Sequence, residues 1–349
     1  MTAKIMTGNF FEDFRIGQRL VHATPRTVTV GDAALYQALY GSRFAVTSGE
    51  TFARGLGLER MPLDSMLVFH VVFGKTVPDV SLNAVANLGY AAGVFGVPVY
   101  PGDTLTTTSE VIGLKENSNG RTGVVYVHSV GVNQDGETVL DYVRWVMVNK
   151  RDASVPAPEP VVPTLPEAVP VERLVVPCSI EDYDAALAGS PFLWDDYEVG
   201  ERIDHVDGMT IEEAEHMMAT RLYQNTAKVH FNQHVEGQGR NGRRIVYGGH
   251  VISLARALSF NGLGNALSIA AINGGTHANP TFAGHTVYAW SEVLDRMELP
   301  GRSDVGALRL RTVATKDRAC ADFPLRGEDG KYLPEVVLDL DYTVLMPRR

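Results

Sequence analysis

Cysteine is scarce: Cys178 and Cys320 are the only two in 349 residues, too few for a disulfide framework and not spaced as metal ligands are. No metal site is therefore expected. Uninterrupted apolar runs never approach the ~18 residues of a membrane helix. The opening Met1-Thr2-Ala3-Lys4-Ile5-Met6 lacks the long apolar segment of a secretory signal. These absences point to a reducing, cytoplasmic setting with no membrane partner. Positive charge is also short. The 31 Lys and Arg against 41 Asp and Glu leave a formal net charge of -10, which argues against nucleic acid as the main partner, because phosphate binding calls for a basic surface.

What is present is length and repetition. A chain of 349 residues exceeds one ordinary core and suits two domains. Phe11-Glu12-Asp13-Phe14-Arg15-Ile16-Gly17-Gln18-Arg19 matches Trp194-Asp195-Asp196-Tyr197-Glu198-Val199-Gly200-Glu201-Arg202 in order and type. The register continues without a gap through His22 over His205, Thr27 over Thr210 and Leu39-Tyr40 over Leu222-Tyr223. It returns one residue shorter, with Tyr100-Pro101-Gly102-Asp103-Thr104 over Phe282-Ala283-Gly284-His285-Thr286 and Ser109-Glu110-Val111-Ile112 over Ser291-Glu292-Val293-Leu294. Self-similarity of this length identifies a duplicated unit. The recurrence of His22 and His205 suggests a shared structural role.

A proline-dense stretch with Pro156, Pro158, Pro160, Pro163, Pro166, Pro170 and Pro177 separates the copies and should run extended as a surface linker. The expected domains are residues 1–152, a linker over 153–180, and residues 181–349. Each copy should open with a Gly turn (Gly17 or Gly200) and a strand, then a helix ending at the Leu-Tyr pair. Thr210-Ile211-Glu212-Glu213 has the order of a capping box. A mainly apolar helix follows, Ser65 to Phe73 in the first copy and about Gly249 to Leu258 in the second. Strands then dominate, and Asp135-Gly136 and Asp329-Gly330 mark hairpins. One buried helix followed by antiparallel strands indicates an α+β layer with sheet wrapped around helix.

After Leu222-Tyr223 comes Gln224-Asn225-Thr226-Ala227-Lys228-Val229-His230. This segment resembles the MaoC-like, (R)-specific enoyl-CoA hydratase family, which carries Asp-x-Asn-Pro-x-His there. His230 takes the histidine position and Asn225 that of the aspartate, while Ala227 and Lys228 replace the Asn-Pro pair. Arg244-Ile245-Val246-Tyr247-Gly248-Gly249-His250 resembles the family's apolar-His-Gly segment at the start of the buried helix. The resemblance implies a tandem, or double, hotdog: two antiparallel sheets, each wrapped around a central helix. It also implies a CoA-thioester substrate, no cofactor, and pairing into a homo-oligomer, a dimer. The opening Asn9-Phe10-Phe11-Glu12-Asp13-Phe14 and the Tyr223–His230 run are similar to a branch acting on mesaconyl-CoA. That likeness implies a lyase, reversibly hydrating mesaconyl-CoA (2-methylfumaryl-CoA) to β-methylmalyl-CoA in acetyl-CoA or glyoxylate carbon metabolism.

The residue types suit that chemistry. Adding water beside a thioester needs an acid/base group, and imidazole has an ordinary pKa of about 6.5. Main-chain N–H groups at Gly248 or Gly249 could hold the thioester oxygen. Asn225 cannot be a base, but its amide can orient water. In the first copy Ser42 stands over Asn225 and Thr47 over His230, so only the second copy keeps the acid/base residue. Lys228, Arg243, Arg244 and His277 are candidate contacts for a substrate carboxylate or for CoA. The alternatives are an acyl-CoA thioesterase, an enoyl-CoA hydratase of other range, and a non-catalytic acyl-CoA-binding subunit.

Overall fold

Apolar stretches with β-branched residues between Gly turns build eleven strands in the computed structural model, which describes residues 4–349. They are β1 (Arg19–Thr27), β2 (Ala84–Phe95), β3 (Thr104–Glu116), β4 (Thr122–Val132), β5 (Thr138–Asn149), β6 (Arg202–Asp204), β7 (Met209–Thr210), β8 (Ser268–Thr276), β9 (Thr286–Leu299), β10 (Arg302–Lys316) and β11 (Val336–Pro347). The sheet order is β1-β3-β4-β5-β2-β8-β11-β10-β9-β6, with β7 also on β9. The first five strands and the last six have mirrored orders. They join where β2 pairs antiparallel with β8, Tyr90 against Gly275 and Val94 against Ala271.

Each half of the sheet wraps one helix. Ser65–Thr76 is buried from Met66 to Thr76, and Gly248–Leu258 from Gly249 to Leu258. Such helices are stable only inside a protein, because no face is left for water. The first starts where Asp64 accepts a hydrogen bond from Met66 N–H at 2.8 Å. A single apolar core runs through both halves, joining Val72 and Tyr142 to Val251 and Tyr342. The two copies are thus parts of one packed body.

The repeated residues occupy repeated places. The N–H groups of Gly17 and Gly200, both at positive φ, donate to Val111 and Val293 carbonyls at 2.8 Å each. His22 Nε2 lies 2.8 Å from Ser109 Oγ, and His205 Nε2 lies 2.8 Å from Ser291 Oγ. These two histidines tie strands to the segments after the central helices. Tyr40 and Tyr223 hydroxyls meet at 2.7 Å on the axis between the copies.

Two expectations are modified. Thr210 does not cap a helix: the helix is Glu213–Leu222, Glu212 precedes it without a side-chain cap, and Thr210 Oγ1 instead bonds Thr286 Oγ1 at 2.8 Å. The capping box sits in the first copy, where Thr29 and Asp32 satisfy each other's N–H groups ahead of the helix Val30–Tyr40. The proline-rich stretch is extended apart from a 3-10 turn at Val171–Arg173, and it is packed rather than free. Val161 makes an antiparallel bridge to Leu114, and Val171, Leu174, Val176 and Cys178 pack on a core cluster. Apolar residues between the prolines gain by burial what a polar linker would not.

Candidate active site

The helix Gly248–Leu258 begins at a cavity of about 270 Å³ shared by both copies. From the second copy His230, Asn225, Tyr247, Gly248 and His277 line it; the first contributes Phe73, Asn87, Tyr90 and Arg144. His230 closes a short 3-10 turn, Lys228–His230, and is half-buried. Its Nδ1 lies 2.9 Å from the Ile245 carbonyl. A carbonyl only accepts, so Nδ1 carries the hydrogen and Nε2 presents a lone pair. Burial pushes this imidazole down to about 4, partly opposed by that hydrogen bond. It is therefore neutral at physiological pH and able to take a proton.

Asn225 is buried and its Oδ1 accepts from Ala227 N–H at 3.0 Å. Oδ1 thus shapes the turn leading to His230. Its Nδ2 has no protein partner among the described residues, so a donor remains on a side chain that lines the cavity. The loop is held from the first copy. Gly74 packs so tightly on it that an added Cβ would fall 2.0 Å from the Tyr223 carbonyl oxygen. Lys75, buried by desolvating neighbours, donates to Gln224 Oε1, the side chain of a residue at positive φ.

Gly248 lies in the cavity wall, whereas Gly249 is buried behind it. Tyr247, the residue before the helix, supplies no side-chain cap, and its carbonyl accepts from His250 N–H at 2.9 Å, so the N–H groups of Gly248 and Gly249 remain without a partner among the described residues. A Cβ on Gly248 would stand 2.4 Å from His277 Cε1, and one on Gly249 2.5 Å from His70 Cε1. Glycine is required at both by close approach. His277 Nε2 contacts Tyr90 hydroxyl at 3.1 Å, and burial lowers this imidazole to about 4.

Of the other sequence-derived candidates, the three cations stand apart from the cavity wall. Arg244 pairs with Glu213, Arg243 donates to the Ala283 carbonyl and stacks on Phe282, and Lys228 is exposed. Offered as contacts for a substrate carboxylate or for CoA, these three do not line the cavity, while His277 does. The cation in the wall is Arg144, which sequence reasoning missed. Its signal was there, since Leu140, Tyr142, Arg144, Val146 and Val148 alternate along β5 as an inward-facing row.

The matching place in the first copy is a smaller cleft of about 80 Å³. There Thr47 stands for His230, Ser65 for Gly248 and Phe95 for His277, and Val175 and Pro177 of the proline-rich strap form part of its wall. None of the three replacement side chains can exchange a proton near neutral pH.

Sheet-wrapped helices in tandem, with a neutral histidine beside an open helix start, define a MaoC-like double hotdog. The family model described as mesaconyl-CoA hydratase matches residues 2–323, and the chain belongs to that family. Among its relatives, a β-methylmalyl-CoA dehydratase of Chloroflexus aurantiacus is 72% identical, with both chains covered in full. A mesaconyl-CoA hydratase of Cereibacter sphaeroides is 61% identical over 99% of this chain and 100% of that one. The crystal structure of a MaoC-domain dehydratase from Chloroflexus aurantiacus, 72% identical, superposes with a TM-score of 0.98 over all of both chains.

Proposed function

We propose that the protein catalyses the reversible hydration of mesaconyl-CoA to β-methylmalyl-CoA, with His230 as the acid/base residue. The observation that carries this reading is the fixed tautomer of His230 in the cavity wall, its Nδ1 engaged by Ile245 and its Nε2 left as an acceptor. In the forward direction Nε2 takes a proton from water while the water oxygen bonds to the β-carbon. The alkene electrons move onto the thioester carbonyl, whose oxygen takes the developing charge. The Gly248 N–H at the helix start, with Gly249 behind it, stabilises that oxygen; losing one such donor typically costs about 3 kcal/mol of barrier lowering. The imidazolium then returns its proton to the α-carbon, and His230 is regenerated. Asn225 Nδ2 orients the water.

Names and near-full-length likeness of the relatives support the acyl group. A cytoplasmic setting and a homodimer belong to the same reading, supported by the CoA-thioester substrate and by the pairing habit of hotdog proteins. Sedimentation at micromolar concentration should give twice the chain mass, and a monomer would refute that part. For the reaction itself, the protein is incubated with mesaconyl-CoA, crotonyl-CoA and β-methylmalyl-CoA and analysed by mass spectrometry. Gain of one water on mesaconyl-CoA and loss of one from β-methylmalyl-CoA are expected. Free CoA thiol in place of either would identify a thioesterase, and unchanged thioesters a binding subunit.

A further inference from the structure

Arg144 is fully buried, yet its charge is only partly matched. Its Nη2 donates to Thr76 Oγ1 at 2.6 Å and to Ser81 Oγ at 3.3 Å, and its Cζ lies 4.2 Å over the Phe73 ring. Nε and Nη1 have no partner, and no carboxylate pairs with the guanidinium among the described residues. Beside it in the same cavity wall, Asn87 leaves both Nδ2 and Oδ1 unpartnered. A buried cation and an amide, both unsatisfied, are costly in the empty protein unless a ligand completes them.

Arg144 has no counterpart in the other cleft, where Arg256 stands near Asp64 instead. Tyr90 of β2 pairs with Arg144, and Ile272, its counterpart in β8, pairs with Tyr342. Arg144 therefore exists only on the side that holds His230, although it comes from the copy lacking that histidine. Arg144 and His230 line one cavity, linked through its wall by a row of rings: Arg144 covers Phe73, Phe73 lies 5.8 Å from Tyr247 between ring centres, and Tyr247 lies 5.5 Å from His230.

We propose that Arg144, with Asn87 beside it, is the anchor for the free carboxylate of the acyl group. The inference rests on the hydration reading above and adds to it the residue that selects a dicarboxylic acyl chain. In mesaconyl-CoA that carboxylate is bonded to the β-carbon, the atom that receives water. Anchoring it fixes that carbon against His230 and orients the alkene face. A guanidinium is suited to the task, being charged at all physiological pH and rich in donors.

The test compares kcat/KM for mesaconyl-CoA and for tiglyl-CoA, the same enoyl thioester with methyl in place of the carboxylate. The wild-type protein should favour mesaconyl-CoA by roughly 100-fold or more. Arg144→Met should bring that ratio to within about tenfold, and Arg144→Lys should fall between. A wild-type ratio near one, or a ratio kept in Arg144→Met, overturns the proposal; the wild-type ratio and the Lys variant decide it if the Met variant does not fold. Calorimetry on the wild type with two saturated thioesters, methylsuccinyl-CoA and 2-methylbutyryl-CoA, separates the two readings. Hydration of neither enoyl thioester with tight, selective binding of methylsuccinyl-CoA would remove the hydration reading and keep the anchor. Equal hydration of both would keep hydration and remove the anchor.

Discussion

At the residue scale the chemistry turns on which nitrogen of one imidazole holds the hydrogen. Ile245 fixes it on Nδ1 of His230, and burial keeps the ring neutral down to about pH 4. A base is active when deprotonated, so kcat/KM should stay flat through neutral pH and fall on the acid side only near that value. An acid limb centred near the ordinary 6.5 would mean that the ring is solvated. Gly248→Ala offers a second test. The new methyl meets the His277 ring at 2.4 Å and pushes the helix start from the thioester oxygen, so kcat should drop by about 10²-fold with the fold intact. An unchanged kcat would remove the helix start from the mechanism.

At the scale of elements, the first-copy helix Ser65–Thr76 braces the loop that carries His230. Gly74→Ala would place a methyl 2.0 Å from the Tyr223 oxygen and should cost about 1–3 kcal/mol, read as a lower midpoint in urea. No loss of stability would show that this approach is looser than described. Much of this level was legible in advance. The central helices declared themselves as mainly apolar runs, and the hairpins by Asp135-Gly136 and Asp329-Gly330, whose glycines have φ of 78° and 75°. The capping box at Thr210 misled because its hydroxyl is taken by Thr286 across the sheet, a partner far away in sequence. Arg144 was overlooked for a similar reason. Its row along β5 was readable, but which cavity that row would face depended on how β2 and β8 join. The His230 and Gly248 segments were legible because each resembles a family motif contained in one short run of sequence, and both line the cavity.

At the scale of the molecule, duplication has left two clefts around one core, only one of which is lined by histidine. The arrangement has a consequence for acid stability. Burial lowers His70 and His250 to about 3, and His205, His230 and His277 to about 4. Unfolding returns them to about 6.5. The folded state then binds fewer protons, so their contribution is fully present above pH ~6.5 and is lost as pH falls toward 4. Each unit of depression is worth about 1.4 kcal/mol. The urea midpoint should therefore decline steadily between pH 7 and pH 5, and a midpoint constant over that interval would contradict this.

The central claim is that one histidine of the second copy adds the water, while the matching residue of the first does not. The most direct measurement is the loss of enoyl-thioester absorbance from mesaconyl-CoA with His230→Ala and, separately, Thr47→Ala. Turnover should fall by about 10²–10⁴-fold in the first and persist in the second, with no thiol released by either. Undiminished turnover in His230→Ala, or a comparable loss in Thr47→Ala, would contradict the account.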